Sequence, residues 1–250
     1  MNVAKYSANG NDFVIYHAFH KRDRSDIAIN LCNRQSGVGA DGLIVLLPHD
    51  TYDFEWQFYN ADGSEADMCG NGSRACAHYA FINGLASQSI SFLTGAGEIK
   101  ADVDGVMVQS QLTPPRVLEN SIEVDGKVWW LIDTGVPHLI TFDADIEHFN
   151  LDEARILRNR YNCNVNIASI DDDNTLRVRT YERGVEDETL ACGTGMAAAF
   201  YRAFKEGKVG DRAVVFPRSG DTLYLGYSDN TITFKGEVTA VFQASISNAL

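Results

Sequence analysis

Two stretches of the chain repeat one arrangement of hydrophobic and polar positions. Residues 53–59, DFEWQFY, alternate: Phe54, Trp56 and Phe58 fall on one face and Asp53, Glu55 and Gln57 on the other, as in a half-buried strand. A polar loop follows, NADGSEADM, and then CGNGSRACAHYAFING. Past its glycines, residues 73–82 are mostly small or apolar, and Asn83-Gly84 is a helix stop signal. Residues 176–181, LRVRTY, alternate again, with Leu176 and Val178 against Arg177 and Arg179. ERGVEDETLA follows, and then CGTGMAAAFYRAFKEG. Both helical runs are apolar nearly all round at their start, which predicts burial. In each copy a glutamate stands four residues before the cysteine, Glu65 before Cys69 and Glu188 before Cys192, where it could complement a helix N-terminus. This is an internal duplication, and two copies about 120 residues apart predict two similar domains rather than a solenoid.

The rest of the chain reads mainly as short strands: FVIY, DGLIVLL, VMVQSQL, WWLID, TLYLGY, TITFK and VTAVFQASI. Residues 152–160, DEARILRNR, form the clearest amphipathic helix outside the repeat. Pro114-Pro115 is the best candidate boundary. The predicted fold class is α+β, with two strand-rich domains each wrapped on a central helix.

Composition narrows the functional classes. Hydrophobic residues make up 45% of the 250 positions, enough for a sizeable core. The formal charge of -13 argues against nucleic acid and against an anionic membrane surface as partners. The N-terminus lacks the apolar region of a signal peptide, and no stretch approaches the roughly 18 apolar residues of a membrane span. A cytoplasmic location is expected. The cysteines are Cys32, Cys69, Cys76, Cys163 and Cys192, an odd number and few for this length, so no disulfide framework is predicted.

Several readings compete for the Cys-Gly-X-Gly pair. A structural zinc site favours cysteine pairs two to four residues apart, which neither Cys69 nor Cys192 has. A Cys-x-x-Cys redox motif is absent. A bond between Cys69 and Cys192 would be an oxidation product in a reducing compartment. Space-filling thiols suit Cys32, Cys76 and Cys163 but do not account for a matched motif. A catalytic reading does. A cysteine at a helix N-terminus has its pKa lowered by the dipole, and glycines let the first N–H groups approach a carboxylate closely. Two such helices facing each other would clamp one carboxylate and set a thiol on either side of the adjacent carbon. That suits inversion at the α-carbon of an amino acid: one thiolate removes the proton and the other thiol returns one to the opposite face. No electron-sink cofactor is needed, and no pyridoxal or nucleotide signature is found. GVGADG at 37–42 does not fit a phosphate loop.

These motifs resemble the diaminopimelate epimerases, a family of pyridoxal-independent two-cysteine enzymes. The resemblance runs in order through GNDF at 10–13, GVGADG at 37–42 and FYNADGSEADMCGNGSRA at 58–75. It continues through PH at 137–138, NVNI at 164–167 and YERGVEDETLACGTG at 181–195. It implies two pseudo-symmetric domains with the active site in the interdomain cleft, spanning 1–113 and 114–238, with residues 239–250 returning to the first. It further implies Cys69 and Cys192 as the acid/base pair, with His138 and Glu182 positioned to influence them. The N–H groups of Gly70, Asn71, Gly193 and Thr194 would hold the reacting carboxylate. Asn11, Asn60, Asn166, Glu182 and Arg183 would bind the rest of an amino-acid substrate, the last four chiefly at its distal end. No metal or other cofactor is implied, and a homodimer is.

Read singly, the same residues have plainer roles: Asn11-Asp12 and Asn60-Ala61-Asp62-Gly63 as turns, His138 as a structural histidine, Glu182 and Arg183 as a surface ion pair. Two features depart from the family pattern. Val136 stands where an asparagine is usual before Pro137-His138, and the GVEDET loop is one residue longer. Two rivals follow, a racemase of another amino acid such as histidine, and a non-catalytic amino-acid-binding or thiol-redox protein.

Overall fold

The computed structural model describes residues 1–171 and 174–247. The chain divides into two compact units, Met1–Ser110 joined by the segment from Gly236 onward, and Gln111–Lys235. The seams thus fall three residues before Thr113 and Val238.

The first unit contains β1 (Asn2–Ala8), β2 (Asn11–His17), α1 (Ser25–Cys32), β3 (Gly42–Leu47), β4 (Phe54–Asn60), α2 (Gly70–Ile82), β5 (Ser89–Thr94), β6 (Gly97–Asp104) and β7 (Met107–Gln111). The second contains β8 (Arg116–Val124), β9 (Lys127–Asp133), β10 (Pro137–Thr141), α3 (Leu151–Tyr161), β11 (Asn164–Ile170), β12 (Thr175–Glu182), β13 (Asp187–Thr189), α4 (Gly193–Lys205), β14 (Arg212–Pro217), β15 (Leu223–Ser228) and β16 (Thr231–Glu237). The last strand, β17 (Thr239–Ser245), pairs with β1 and so belongs to the first unit. Of the segment 239–250 expected to return there, residues 248–250 lie outside the described residues.

Among the described residues, strand order in the first unit is β17-β1-β2-β3-β4-β5-β6-β7, with β2/β3 and β4/β5 parallel and the other neighbours antiparallel. In the second unit the order is β8-β9-β10-β11-β12-β14-β15-β16, with β10/β11 and β12/β14 parallel and the rest antiparallel. The two sequences of directions are identical. Each parallel pair needs a crossover, supplied by α1 and α2 in one unit and by α3 and α4 in the other. β17 fills the place in the first unit that β8 fills in the second. The α+β, two-domain, strand-rich class expected from the sequence is the observed one.

Each sheet is covered on both faces. In the first unit Phe13 and Ile15 of β2, with Ile44 and Leu46 of β3, face the cluster under α2, while Val14, Tyr16, Leu43, Val45 and Leu47 face the cluster under α1. That explains the unbroken apolar run of β3, as expected for a strand buried on both sides. It also corrects the reading of β4 as half-buried. Gln57 is buried, because α1 covers its face. Its amide donates to Tyr59 Oη and to Arg22 O, both at 3.0 Å, and its oxygen takes a hydrogen bond from Arg24. The strand alternation of residues 53–59 was legible, but the eight residues of α1, SDIAINLC, were too short to announce the helix above it.

Both repeat helices are buried along most of their length. Their glycines form the first turn behind the cysteine: α2 begins at Gly70 and α4 at Gly193. Phe92 is fully buried under α2 and stacks on Phe54 with ring centroids 4.7 Å apart. Phe92→Ala is expected to destabilise the protein by about 3–5 kcal/mol, measured by urea unfolding.

Candidate active site

Cys69 is the N-cap residue of α2, with extended backbone, and its Sγ accepts the Gly72 N–H at 3.3 Å. The thiol therefore sits at the positive end of the helix dipole. The N–H groups of Gly70 and Asn71 belong to the first turn, which has no acceptors within the helix. Asn71 contributes there through its main chain, because its side-chain oxygen accepts from Arg74 Nη2 at 2.7 Å. Arg74 has no exposed surface, and it also donates to Asn9 Oδ1 at 2.6 Å and Glu237 O at 3.3 Å. Asn9 and Gly10 are both left-handed, φ 56° and 82°, as a two-residue hairpin turn requires. Arg74 thus fastens the β1–β2 turn and the returning chain to the start of α2. The turn delivers Asn11, whose Oδ1 lies 3.6 Å from Cys69 Sγ. Asn60 ends β4 opposite Gly42, exposed, with Nδ2 on Ser64 Oγ at 3.0 Å.

Cys192 is the N-cap residue of α4 and is buried, with Sγ 3.5 Å from Thr194 Oγ1. Thr194 Oγ1 is in turn 2.9 Å from Nε2 of His138. His138 is fully buried, and desolvation pushes its pKa down to about 3, so the ring is neutral at neutral pH. Asn166 Nδ2 donates to its Nδ1 at 3.1 Å, which leaves the proton on Nε2. The ring then donates to Thr194, and the Thr194 hydroxyl is left to donate to Cys192 Sγ. Asn164 Nδ2 also approaches Nε2, at 3.5 Å, too far to compete with the Thr194 contact. Asn166 is itself fully buried, its amide bonded to His138, Leu139 O and Thr180 Oγ1. His138 and Asn166 therefore lie behind Thr194, as braces of the helix start.

Glu182 ends β12 and Arg183 follows it. The Arg183 N–H donates to Asn164 Oδ1 at 2.8 Å and its Nη1 to Asn162 O at 2.9 Å. Glu188 is held by Arg179 at 2.7 and 2.8 Å and by Arg218 at 3.3 Å, so its charge is spent on arginines and not on the helix end. Glu65 bridges Tyr59 through the backbone. The sequence did not single out Thr134, whose Oγ1 donates to Thr194 O at 2.8 Å, or Thr180. Gly195 was legible within ACGTG but not its reason: a Cβ there would stand 2.4 Å from Asn166 Oδ1 and 3.3 Å from the His138 ring.

The other three cysteines are buried and free. Burial pushes Cys32 and Cys163 up to about 12 and Cys76 well above the usual thiol range, so they remain protonated fillers of the core. Among the described residues, no group of three or more His, Cys, Asp and Glu is placed to hold a metal ion, and no helix is long and apolar enough to cross a membrane.

The architecture is that of the two-domain racemases and epimerases. A probable proline racemase from Agrobacterium radiobacter K84 superposes with a TM-score of 0.79, at 14% identity, over 98% of this chain and 92% of that one. A finer assignment comes from sequence. The family model for diaminopimelate epimerase matches residues 3–118 and 130–241. A diaminopimelate epimerase of a Nitratiruptor species is 62% identical over 97% of both chains, and one of Campylobacter lari is 51% identical over 98% of both. This chain belongs to the diaminopimelate epimerase family and is an isomerase.

Two outcomes follow for the Thr194 layer. Gly195→Ala forces α4 away from Asn166 and is expected to destabilise the fold by about 1–3 kcal/mol, read by urea unfolding. The buried His138 must take up a proton on acid unfolding. Its folded pKa is depressed, so stability is complete above about pH 6.5 and falls as pH drops toward about 3. His138→Gln removes that loss, and its stability curve between those values should be flatter, by up to about 1.4 kcal/mol per pH unit.

Proposed function

We propose that the protein inverts one α-carbon of LL-diaminopimelate to give the meso form, without a cofactor, supplying lysine and peptidoglycan precursors. The observation that carries this reading is the placing of a cysteine at the N-cap of each topologically equivalent central helix, within a chain of this family. A thiolate removes the α-proton, and a thiol delivers a proton to the opposite face. Negative charge spreads onto the adjacent carboxylate as the carbanion develops. The first-turn N–H groups of Gly70, Asn71, Gly193 and Thr194 stabilise it there. Asn11, Asn60 and Glu182 are assigned to substrate polar groups, and Arg183 to the distal carboxylate. Asn166 and His138 act through Thr194.

A racemase acting on another amino acid is less supported, since the relatives of high identity carry the diaminopimelate name and the likeness to a proline racemase is one of fold alone. We further propose a cytoplasmic homodimer, to be tested by sedimentation of the reduced protein.

The direct experiment follows LL-diaminopimelate in D2O with reduced protein. Deuterium at one α-carbon together with meso product is expected. No exchange, with the thiols titrated as free, would remove this substrate and send the search to a panel of amino acids including histidine and proline. Cys69→Ala and Cys192→Ala should each lower turnover by at least about 10³-fold. Arg183→Ala should lower kcat/KM for diaminopimelate roughly 10- to 100-fold through lost charge-assisted hydrogen bonds. Unchanged turnover would end the assignment of Arg183 to the distal end.

A further inference from the structure

One motif shared by the whole family resemblance has no role so far: the aspartate of GVGADG. Asp41 sits between the segments that carry Asn11 and Asn60. Its Oδ2 accepts Asn11 Nδ2 at 2.7 Å and the Asp12 N–H at 3.1 Å, and its Oδ1 accepts Arg34 Nη2 at 2.8 Å. Its own N–H donates to Asp12 Oδ1 at 2.9 Å, and its carbonyl accepts the Ala61 N–H at 3.0 Å. The neighbouring Asp12 is held ionised by Arg34 and by Lys5 at 2.6 Å, with its pKa brought down to about 2. The Asp41 carboxylate is thus fixed at both oxygens and at the backbone.

A carboxylate accepts and cannot donate. Were the Asn11 amide turned over, its oxygen would oppose Asp41 Oδ2 at a distance of 2.7 Å. The chemistry therefore leaves one orientation, with Nδ2 on Asp41 and Oδ1 on the Cys69 side, 3.6 Å from Sγ. A carbonyl oxygen facing sulfur accepts from the thiol and has nothing to offer the thiolate. The Gly72 N–H, at 3.3 Å, and the helix dipole pull the other way. The arrangement at Cys192 has the reverse polarity, since there the neighbouring group is a hydroxyl left as a donor.

We propose that Asp41 is a positioning residue. By fixing the Asn11 amide it presents an acceptor to Cys69 and holds that thiol protonated in the ligand-free protein. The proposal deepens the reading of Cys69 as an acid/base group and takes its functional meaning from it. Its test reads the thiol and not turnover, so the two can fail separately.

The ionisable groups on the elements meeting at this corner are Lys5 and Tyr6 on β1, Asp12, Tyr16 and His17 on β2, and Arg34 and Asp41 in the loop before β3. Asp62, Glu65 and Asp67 stand in the loop before α2, with Arg74, Cys76, His78 and Tyr79 within that helix. Removing Asp41 also removes a negative charge from this set, which by itself would favour thiolate. A double-mutant cycle separates the two effects. The rate of iodoacetamide modification of Cys69, read by peptide mass spectrometry across pH, gives the midpoint of thiolate formation in full-length reduced protein.

Asp41→Ala frees the amide to turn and present Nδ2, and Asn11→Ala removes the acceptor. Each is expected to lower the midpoint by about one pH unit, and the double variant by clearly less than the sum of the two. A shift from Asp41→Ala that persists in full in the Asn11→Ala background would mean a charge effect and overturn the proposal, as would no shift at all. Should Asp41→Ala fail to fold, Asn11→Ala alone decides, because an unchanged Cys69 midpoint there leaves Asp41 nothing to position.

Discussion

The site depends on one constraint, the unpaired N–H groups at the start of a helix that the fold buries. A helix leaves its first N–H groups without acceptors of its own, and a buried polar group without a partner is costly. Here two helices are enclosed at their N-terminal turns. Cys-Gly-X-Gly answers that constraint in a way a serine or aspartate cap would not. The sulfur is a weak acceptor, so the cap is soft. The first turn remains able to bind an anion, and a thiol is left at the positive end of the dipole.

Around this shared arrangement the two copies diverge. At α2 the surroundings are ionic and anchored by buried Arg74, which binds Asn9, Asn71 and Glu237. At α4 the bonds themselves are uncharged: His138, Asn166, Thr180 and Thr134 hold Thr194 through a chain of neutral hydrogen bonds. A neutral imidazole suits that role, since the desolvation of His138 outweighs the pull of Asp133 and disfavours the imidazolium. The duplicated topology supplies two equivalent helix ends, and the side chains behind them differ.

The strand directions show how one chain builds two such units. Each has an outer antiparallel strand before its first parallel crossover. The second unit takes β8 from the chain just ahead of it, while the first receives β17 from the far end of the sequence. Glu237, shortly before β17, is the residue whose carbonyl Arg74 binds. The return of the chain is therefore tied to the same buried guanidinium that orders the α2 start.

Much of this was legible from residue order alone. Alternation at 53–59 and 176–181, the small-residue helices behind Cys69 and Cys192, and the strand at the C-terminus follow from local period and composition, because a strand or buried helix is specified by its own side chains. The two cysteine motifs carried the proposed chemistry. Other features rested on tertiary contacts and were not legible. α1 is eight residues with one apolar face, and only the sheet beneath it reveals why Gln57 is buried. Asp41, Thr134 and Gly195 are ordinary loop or helix residues until elements distant in sequence bring Asn11, Thr194 and Asn166 against them. The sequence by itself determined which atoms could do chemistry. The tertiary structure decided how they are oriented, because the direction of a hydrogen bond is set by the partner, and the partners here lie 14 to 60 residues away in the chain.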